Sequence, residues 1–416
     1  MKNTFKKILF VLLFVLGFNA IATLFMADKA FVVYWVFFAI LLIATVICLL
    51  ALLITGIISL AKHNNKAGVH SLFKKELLWS TVLIALLIIQ VVISQVFAHT
   101  PNTAHLASLE KIEINGTRQA ISIRGESEDN PVILFLAGGP GGSQIQATRE
   151  NLSELESDYT IVNWEQTGVG KSYNAHPIKS LTPDVYVKDA HALTQYLKER
   201  FNQEKIYLMG ESWGSYLGVR LSKQYPEDYY AFIGTGQMVD FSETEQYCYD
   251  LALSLARENN DQQQIKALEN LDEIPIKGKN ISLEIGTYLV YLHNMMGRDS
   301  NIQQTDWNTF KIIFSPEYGI IDSINYLKGL YFTFSHVYQQ LYGTDLRESH
   351  SDFKIPIYFL HGRHDFNAPT YLVKEYFEKI IAPEKKLIWF EHSGHNPWIN
   401  ESKLFQEKVK ALFDKF

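Results

Sequence analysis

Cysteine is nearly absent from this chain of 416 residues, and basic residues are not in excess. The two cysteines are Cys48, inside a long apolar stretch, and Cys248, far along the polar part, so a disulfide joining them is not expected. Lysine and arginine number 38 against 44 acidic residues, a net charge of −6 that provides no basic surface for nucleic acid. The chain also lacks internal repeats and low-complexity segments.

A complete phosphate-binding loop is missing as well. Gly168-Val169-Gly170-Lys171-Ser172 ends like such a loop, because a glycine followed by lysine and serine closes the P-loop pattern. That pattern also needs a glycine five residues before Gly170, and position 165 is Glu. We therefore do not expect nucleotide binding.

Charge is absent from three long apolar stretches within residues 1–98. These stretches cover about residues 8–26, 31–60 and 77–98. Each is long enough to cross a hydrocarbon core of about 30 Å at 1.5 Å per residue. A buried helix of a soluble protein normally carries a polar face, and these stretches do not. The sequence predicts a membrane region with three transmembrane helices.

The lysines that flank these stretches predict the orientation of the chain. Cations precede the first stretch and fill the second connection, at Lys2, Lys6, Lys7, Lys62, Lys66, Lys74 and Lys75. Because lysine-rich connections stay in the cytoplasm, everything after Ala98 is expected outside it, at the cell membrane. An alternative reads the first stretch as a signal peptide cleaved near Ala20-Ile21-Ala22, which leaves the later part outside too.

After a predicted linker at 99–110, strand patterns alternate with helix patterns over residues 111–236 and again over 353–416. This alternation is typical of an α/β fold with a doubly wound, mostly parallel sheet. Between them, residues 237–352 are mostly helical in pattern and rich in tyrosine and glutamine. We interpret this stretch as a helical cap inserted into the α/β core.

A strand-like run ending at Met209 leads into Gly210-Glu211-Ser212-Trp213-Gly214 and then into a helix-like run. Gly-x-Ser-x-Gly between a strand and a helix is the pattern of a nucleophile elbow, whose tight turn exposes the serine. The backbone N–H of Trp213 would lie at the start of the helix and face a developing oxyanion. Ser212 is thus the predicted nucleophile.

An acid and a base follow in the order that such a serine requires. Asp365 comes just after one late strand pattern and His395 just after the last. His395 would take the proton of Ser212, and Asp365 would orient the imidazole. His392 is the alternative base. No metal site is expected, because His361, His364, His392 and His395 lack metal-ligand spacing on a helix.

The glycine-rich run Gly138-Gly139-Pro140-Gly141 follows a continuous apolar strand pattern. Glycines allow backbone N–H groups to approach a substrate oxygen closely, and proline has no N–H to offer. Gly139 is therefore the predicted second oxyanion donor beside Trp213.

From about Glu113 to its end, the chain resembles the prolyl iminopeptidase branch of the α/β-hydrolase superfamily. The resemblance lies in Gly138 to Gly141, in the loop from Glu165 to Ser172, and in Gly210 to Ser215. It implies an α/β-hydrolase fold, catalytic roles for Ser212, Asp365 and His395, and an oxyanion role for Gly139. The chain departs from the family pattern at Ala137, at Glu165-Gln166-Thr167-Gly168 and at Glu211, where the family usually has His, Asp-Gln-Arg-Gly and Gly.

Three functional hypotheses follow. The first is a membrane-anchored serine hydrolase of the aminopeptidase type, in which Glu243 or Glu245 at the start of the cap binds the free α-ammonium of a small peptide. The second is an esterase or lipase acting on acyl esters from the bilayer. The third is a catalytically silent membrane receptor, against which the full set of catalytic groups argues. None of the three needs a cofactor.

Overall fold

The computed structural model describes residues 10–11, 13–15, 17–19, 30–61, 66–101, 103–271, 273–305 and 308–415. The chain divides into two compact units. The first comprises Met1–Pro101 with Ile313–Ser323, and the second comprises Asn102–Ile312 with Ile324–Phe416.

Two long helices dominate the first unit. They are α1 (Ala30–Ala61) and α2 (Lys66–Val96), and within them Val32–Ile58 and Ser71–Val96 are long and apolar enough to cross a membrane. The described residues thus contain two such helices rather than the three predicted. The first predicted span, at 8–26, lies largely outside the described residues.

In the most apolar parts of α1 and α2 the side chains point outward. Only 11% of that part of α1 and 22% of that part of α2 is buried. This is the opposite of a core helix in a soluble protein, which buries its apolar face. Some of the polar groups of α1 and α2 are paired with each other or with the backbone. The side-chain amide of Gln90 donates to the carbonyl of Tyr34 at 3.2 Å, and the Thr55 hydroxyl donates to Glu76 at 2.6 Å.

Among the described residues, the second unit contains a sheet of eight strands. The strands are β1 (Leu106–Ile114), β2 (Thr117–Gly125), β3 (Val132–Leu136), β4 (Thr160–Glu165), β5 (Ile206–Glu211), β6 (Tyr229–Thr235), β7 (Ile357–Gly362) and β8 (Lys385–Phe390). Their order is β1-β2-β4-β3-β5-β6-β7-β8. β2 pairs antiparallel with β1 and with β4, and all other pairs are parallel. The predicted mostly parallel sheet is confirmed.

The first hairpin is longer than the sequence pattern suggested. β1 begins at Leu106, within the predicted linker, and pairs with β2 along its whole length. The turn is Asn115-Gly116, and both residues have positive φ, 47° and 74°. That backbone conformation suits the strand twist of a two-residue hairpin.

The side chains of the buried strands pack into two hydrophobic cores, one on each face of the sheet. On β3, Val132, Leu134 and Leu136 pack into one core, whereas Ile133 and Phe135 pack into the other. Alternate residues of a strand point to opposite faces, so a continuous apolar run is what a strand covered on both sides requires. The sheet is doubly wound, as predicted.

Helices cover these faces, and those before β8 connect parallel strands. They are α3 (Ile145–Asn151), α4 (Pro183–Arg200), α5 (Trp213–Gln224), α12 (Thr370–Lys379), α13 (Pro397–Asn400) and α14 (Ser402–Phe413). Thr182 caps α4 and Pro183 occupies its first turn, as the sequence indicated.

Between β6 and β7 the chain is helical. The helices are α6 (Phe241–Glu258), α7 (Gln262–Glu269), α8 (Ile281–Met296), α9 (Ile320–Lys328), α10 (Phe334–Tyr338) and α11 (Leu346–Ser349). A 3₁₀ segment at Thr309–Phe314 and a π-helical turn at Gly329–Thr333 flank α9. Unlike the rest of this insertion, Ile313–Ser323 belongs to the unit that contains α1 and α2.

Candidate active site

Ser212 lies in a strained turn between a strand and a helix. β5 ends at Glu211, α5 begins at Trp213, and Ser212 between them has φ 54°. A side chain at Gly210 would overlap the backbone of Gly214, and one at Gly214 would overlap the backbone of Leu136. Only glycine fits these two positions. The Gly-x-Ser-x-Gly pattern therefore has a steric reason here, as it does in a nucleophile elbow.

Asp365 and His395 meet beyond the ends of two neighbouring strands. Asp365 follows β7 and accepts hydrogen bonds from the backbone N–H groups of Asn367 at 2.8 Å and Ala368 at 2.9 Å. His395 follows β8, and its Nδ1 lies 2.9 Å from Asp365 Oδ2 and 3.0 Å from Oδ1. Because the carboxylate accepts a hydrogen bond from the Nδ1–H group, Nε2 is the ring nitrogen of His395 that can accept a proton.

One cavity of about 70 Å³ brings the remaining predicted groups together. Ser212, His395, Gly139, Trp213 and Glu245 all line it. The other lining residues come mainly from the helical insertion and are Met238, Phe241, Thr244, Leu289, Phe334, Tyr338 and Asn367. The predicted nucleophile, base and oxyanion donors therefore share one enclosed space.

The glycine-rich loop approaches this cavity in a conformation that favours glycine. Gly139 has φ 143°, and a side chain there would press on the backbone nitrogens of Gly141 and Gly142 at 2.7 Å. Trp213 opens α5, where the first N–H groups have no partner within the helix. The indole of Trp213 donates to Gln166 at 2.9 Å, and Gln166 donates to Ala137 O at 2.8 Å.

The insertion packs directly on the same loop. A side chain at Gly141 would overlap the carbonyl of Gly329, and Gly329 in turn lies against the carbonyls of Gly141 and Gly168. The hydroxyl of Thr333 donates to Gly168 O at 2.7 Å. Close backbone contact between the π-helical turn and the two glycine loops leaves little freedom for the loop that carries Gly139.

Glu211 gives the site a second buried carboxylate that sequence reasoning noted only as a departure from the family pattern. Its Oε1 lies 3.5 Å from Nε2 of His395. Its Oε2 accepts a hydrogen bond from the Gln144 amide at 2.5 Å, and Gln144 Oε1 accepts one from Gly138 N at 2.9 Å. Glu211 thus links the base to the loop that precedes Gly139.

Two carboxylates therefore flank His395, one beside each ring nitrogen. Burial acts to lower the pKa of His395, but the charges of Asp365 and Glu211 and the hydrogen bond to Asp365 outweigh it and raise the pKa to about 9. Burial raises the pKa of Glu211, and the nearby His395 opposes this shift. For Asp365, burial is outweighed by His395 and His361, so its pKa is lowered.

Replacing Glu211 with Gln is expected to move the acid limb of the Ser212 reaction to lower pH by about one unit or more. The imidazole must be neutral to accept the serine proton, and removing one carboxylate weakens the protonated form, at about 1.4 kcal/mol per unit. The measurement is the second-order rate of fluorophosphonate labelling as a function of pH, because that probe carries no titrating group.

Glu391→Gln is the matched control, since Glu391 is an exposed carboxylate paired with Arg363 at 2.7 Å. Its pH profile should coincide with that of the unmodified chain. An unshifted limb in Glu211→Gln would contradict the influence of Glu211 on His395.

Glu245 is the one of the two predicted cap carboxylates that reaches the cavity. It is fully buried, and the hydroxyls of Tyr288 and Tyr338 donate to it, the latter at 2.8 Å. Burial raises the pKa of Glu245 to about 7, although both tyrosine hydrogen bonds act in the other direction. Nothing in the local sequence around Tyr288 or Tyr338 signals this role, because the three residues lie on different helices.

Glu243 lies elsewhere. It pairs with Arg347 at 2.6 Å and accepts a hydrogen bond from Tyr371 at 3.0 Å, and it does not line the cavity that contains Ser212. Its side chain is 40% exposed. Two residues along a helix point in different directions, which explains why only one of the pair faces the cavity.

A second cavity, of about 240 Å³, also borders His395. Its described lining includes His293, Met296, Gln304 and Asn400. His392, the alternative base, is exposed, and its Nδ1 lies 3.2 Å from Asn301 O. Among the residues that the structure describes, no group of three or more His, Cys, Asp or Glu side chains could hold a metal ion.

Comparison with known proteins identifies relatives of this chain. Residues 143–268 match the family described as serine aminopeptidase, S33. A probable aminopeptidase, YbaC, of Bacillus subtilis is 32% identical over 306 residues, which cover 73% of this chain and 96% of that protein. The proline iminopeptidase of Lactobacillus helveticus is 33% identical over 113 residues, covering 26% of this chain and 36% of that enzyme.

Among solved structures, the proline iminopeptidase of Mycobacterium smegmatis superposes with a TM-score of 0.55. It shares 16% identity, and the match covers 74% of this chain and 98% of that structure, so it supports the fold. The likeness to YbaC extends over nearly the whole of that relative. The chain therefore belongs to the serine aminopeptidase family of α/β-hydrolases.

Proposed function

We propose that this enzyme releases an amino-terminal residue from small peptides through an acyl-enzyme on Ser212. His395 Nε2 removes the hydroxyl proton while the serine oxygen attacks the scissile carbonyl. Asp365 keeps the Nδ1 proton on the imidazole and stabilises the imidazolium. The same proton then passes to the leaving amine, and a water molecule repeats the sequence on the acyl-enzyme.

The negative charge that forms on the carbonyl oxygen needs donors fixed in advance. The backbone N–H groups of Gly139 and Trp213 are the proposed donors, and both residues line the cavity with Ser212. A donor of this kind contributes about 3 kcal/mol to transition-state stabilisation in comparable sites. The contacts of Gly329 with Gly141 and of Gln166 with the Trp213 indole support this role, because they restrain the loop of Gly139 and the side chain of Trp213.

Glu245 carries the proposal that the substrate has a free amino terminus. A buried carboxylate without a cation is costly unless a counter-charge arrives. Glu245 lines the cavity that contains Ser212, and its hydrogen-bond partners are two neutral tyrosine hydroxyls. An α-ammonium group bound there would supply the positive charge and fix the scissile bond at a set distance from its own amino end.

Replacing Glu245 with Gln is expected to lower kcat/KM for a free aminoacyl-arylamide by roughly 100-fold or more. Removing one partner of a buried charge pair typically costs 2–5 kcal/mol, about 30- to several thousand-fold. An N-blocked ester of the same residue should lose only a few-fold, because it brings no cation. Steady-state kinetics on the two substrates gives the ratio directly.

Glu243→Gln is the matched control, because Glu243 lies two residues away and is engaged by Arg347 and Tyr371. It should change kcat/KM little for both substrates.

The preference for the free amino terminus should also rise with pH through about 7, since Glu245 is neutral below its pKa and ionised above it. An equal loss on both substrates in Glu245→Gln would remove the aminopeptidase and leave the esterase in its place.

The leaving group is proposed to occupy the larger cavity. His395 must give its proton to the departing amine, so that amine lies on the histidine side of the scissile bond. The cavity of about 240 Å³ borders His395 and carries polar groups such as Gln304 and Asn400. It offers room for the next residues of a short peptide.

Membrane anchoring is proposed as part of the same function. The length of α1 and α2, their apolar composition and their outward-facing side chains support it. The lysines at 62, 66, 74 and 75 support a cytoplasmic connection between these helices, with the catalytic unit on the opposite side. Protease added to intact cells should then remove that unit, and protection until lysis would contradict this orientation.

A further inference from the structure

Helix α9 (Ile320–Lys328) exposes a stripe of apolar side chains and buries several polar ones. Its exposed residues include Ile321, Ile324 and Leu327, at 45%, 39% and 46% exposure. Asp322, Ser323 and Asn325 are buried instead. A helix at the surface of a soluble protein shows the opposite arrangement, with its apolar stripe facing the core. The outward stripe continues to Phe332, which is 50% exposed.

The buried polar groups explain why the helix keeps this orientation. Asp322 accepts a hydrogen bond from Gly319 N at 3.0 Å, and the Ser323 hydroxyl donates to Ile313 O at 2.9 Å. Turning the helix over would leave such groups without partners, at a cost of about 1–3 kcal/mol each. The apolar stripe is therefore held outward by the protein's own contacts.

The start of this helix is bound to the end of α2. Ser94 accepts a hydrogen bond from Ile320 N at 3.1 Å, and Gln95 accepts one from Ile321 N at 3.0 Å. Gly319 lies so close to Gln95 that a side chain there would overlap it. His99, just beyond α2, donates its backbone N–H to Pro316 O at 2.9 Å.

The beginning of α1 holds the same segment. The indole of Trp35 donates to Ile313 O at 3.1 Å, and its ring meets Phe314 edge-on at a centroid distance of 5.8 Å. Tryptophan is enriched at the boundary between hydrocarbon and water, where its ring is apolar and its N–H finds a polar partner. The position of Trp35 is thus the one expected of a tryptophan at a membrane boundary.

Exposed apolar side chains continue from the helices onto the segment. On α1 and α2 the neighbouring exposed residues include Val32, Val36, Val92 and Val96. Phe314 and Ile321 extend the same apolar surface, at 52% and 45% exposure. A surface that is continuous with the helices proposed to cross the membrane fits lipid better than a protein partner. Its one exposed cation within α9, Lys328, can keep its ammonium in the headgroup region.

We propose that residues 314–332 form an interfacial element, with Phe314, Ile321, Ile324, Leu327 and Phe332 inserted into one leaflet of the bilayer. The proposal rests on the membrane anchoring of α1 and α2 proposed above. A helix of this kind lies in the plane of the interface, with its apolar face about 5–10 Å into the headgroup and acyl boundary. Attachment depends on apolar insertion, so it needs no anionic lipid.

The test uses the full chain, with Cys48→Ala, in phosphatidylcholine vesicles that contain lipids spin-labelled near the headgroup. Cys248 is buried and should not react with a thiol probe. An environment-sensitive fluorophore is attached to Ile324→Cys and, separately, to Leu327→Cys. Reference positions are Val92→Cys on α2 and the exposed Glu258→Cys on α6. We expect quenching at 324 and 327 that is comparable to the quenching at 92, and no quenching at 258.

Quenching at 92 without quenching at 324 or 327 would overturn the interfacial element and leave the membrane anchoring intact. If disulfides then formed between Ile324→Cys copies, the stripe would be an interface between two chains. Quenching at none of these positions would overturn the anchoring and, with it, the proposal. Equal quenching at 258 would also overturn it, because the stripe would not differ from the rest of the surface.

Discussion

Replacing Ser212 with Ala is expected to abolish fluorophosphonate labelling and to lower kcat by roughly a millionfold, the scale of loss when a serine hydrolase loses its nucleophile. The reason lies in the elbow, where the positive φ of Ser212 and the two flanking glycines present one hydroxyl to the cavity that His395 also lines. The helix dipole and the proposed donors remain, but no covalent intermediate can form. The residual turnover should equal the rate at which water attacks the bound substrate directly.

Ser222→Ala is the matched control for that measurement. Ser222 is a buried serine within α5, ten positions after Ser212, so its loss tests general damage to the fold. It should keep the labelling rate within a few-fold, and both variants should keep their far-ultraviolet circular dichroism. Persistent labelling of Ser212→Ala would show that another nucleophile reacts and that the elbow has been misassigned.

Local patterns in the sequence were sufficient to predict the end of the sheet at which Ser212, Asp365 and His395 lie. A continuous apolar run such as Val132–Leu136 is typical of a strand covered on both faces, and glycines at 210 and 214 fit a turn too tight for side chains. Because parallel strands end at the same edge, the groups after β5, β7 and β8 had to meet there. These inferences needed no knowledge of the insertion.

The insertion was less predictable because its contacts join residues far apart in the chain. Glu245 is enclosed by Tyr288 and Tyr338, which lie 43 and 93 positions away. The helical periodicity around Glu243 and Glu245 predicts a helix, but it does not say which carboxylate faces Ser212. That choice is made by Arg347 and Tyr371, which engage Glu243 on the other side.

Glu211 shows a different limit of sequence reasoning. Its position beside Ser212 was evident, yet its contact with His395 depends on where the loop after β8 ends. The same holds for Ile313–Ser323, whose pairing with the ends of α1 and α2 has no local signal. In both cases the interaction depends on a backbone N–H or a ring nitrogen that lies far away in the chain.

Replacing His395 with Ala is expected to slow acylation of Ser212 by at least 10⁴-fold, whereas His392→Ala should stay within about threefold. His395 pairs with Asp365 at 2.9 Å and borders both cavities, while His392 is exposed and approaches only Asn301 O. A general base needs a neutral nitrogen near the nucleophile, and of these two histidines only His395 lines the cavity that contains Ser212.

The His395→Ala variant also leaves Asp365 and Glu211 buried without their shared cation, so its stability must be separated from its chemistry. Added imidazole provides that separation, because it can enter the space that the side chain vacates beside the cavity of about 240 Å³. We expect imidazole to restore fluorophosphonate labelling of His395→Ala by at least tenfold and to leave Ser212→Ala unchanged. Near-native labelling of His395→Ala without imidazole, together with a large loss in His392→Ala, would transfer the role of base to His392. Rescue of His395→Ala alone would instead show that the rate was lost because the base between the two carboxylates is missing. A misfolded site would have nothing for imidazole to replace.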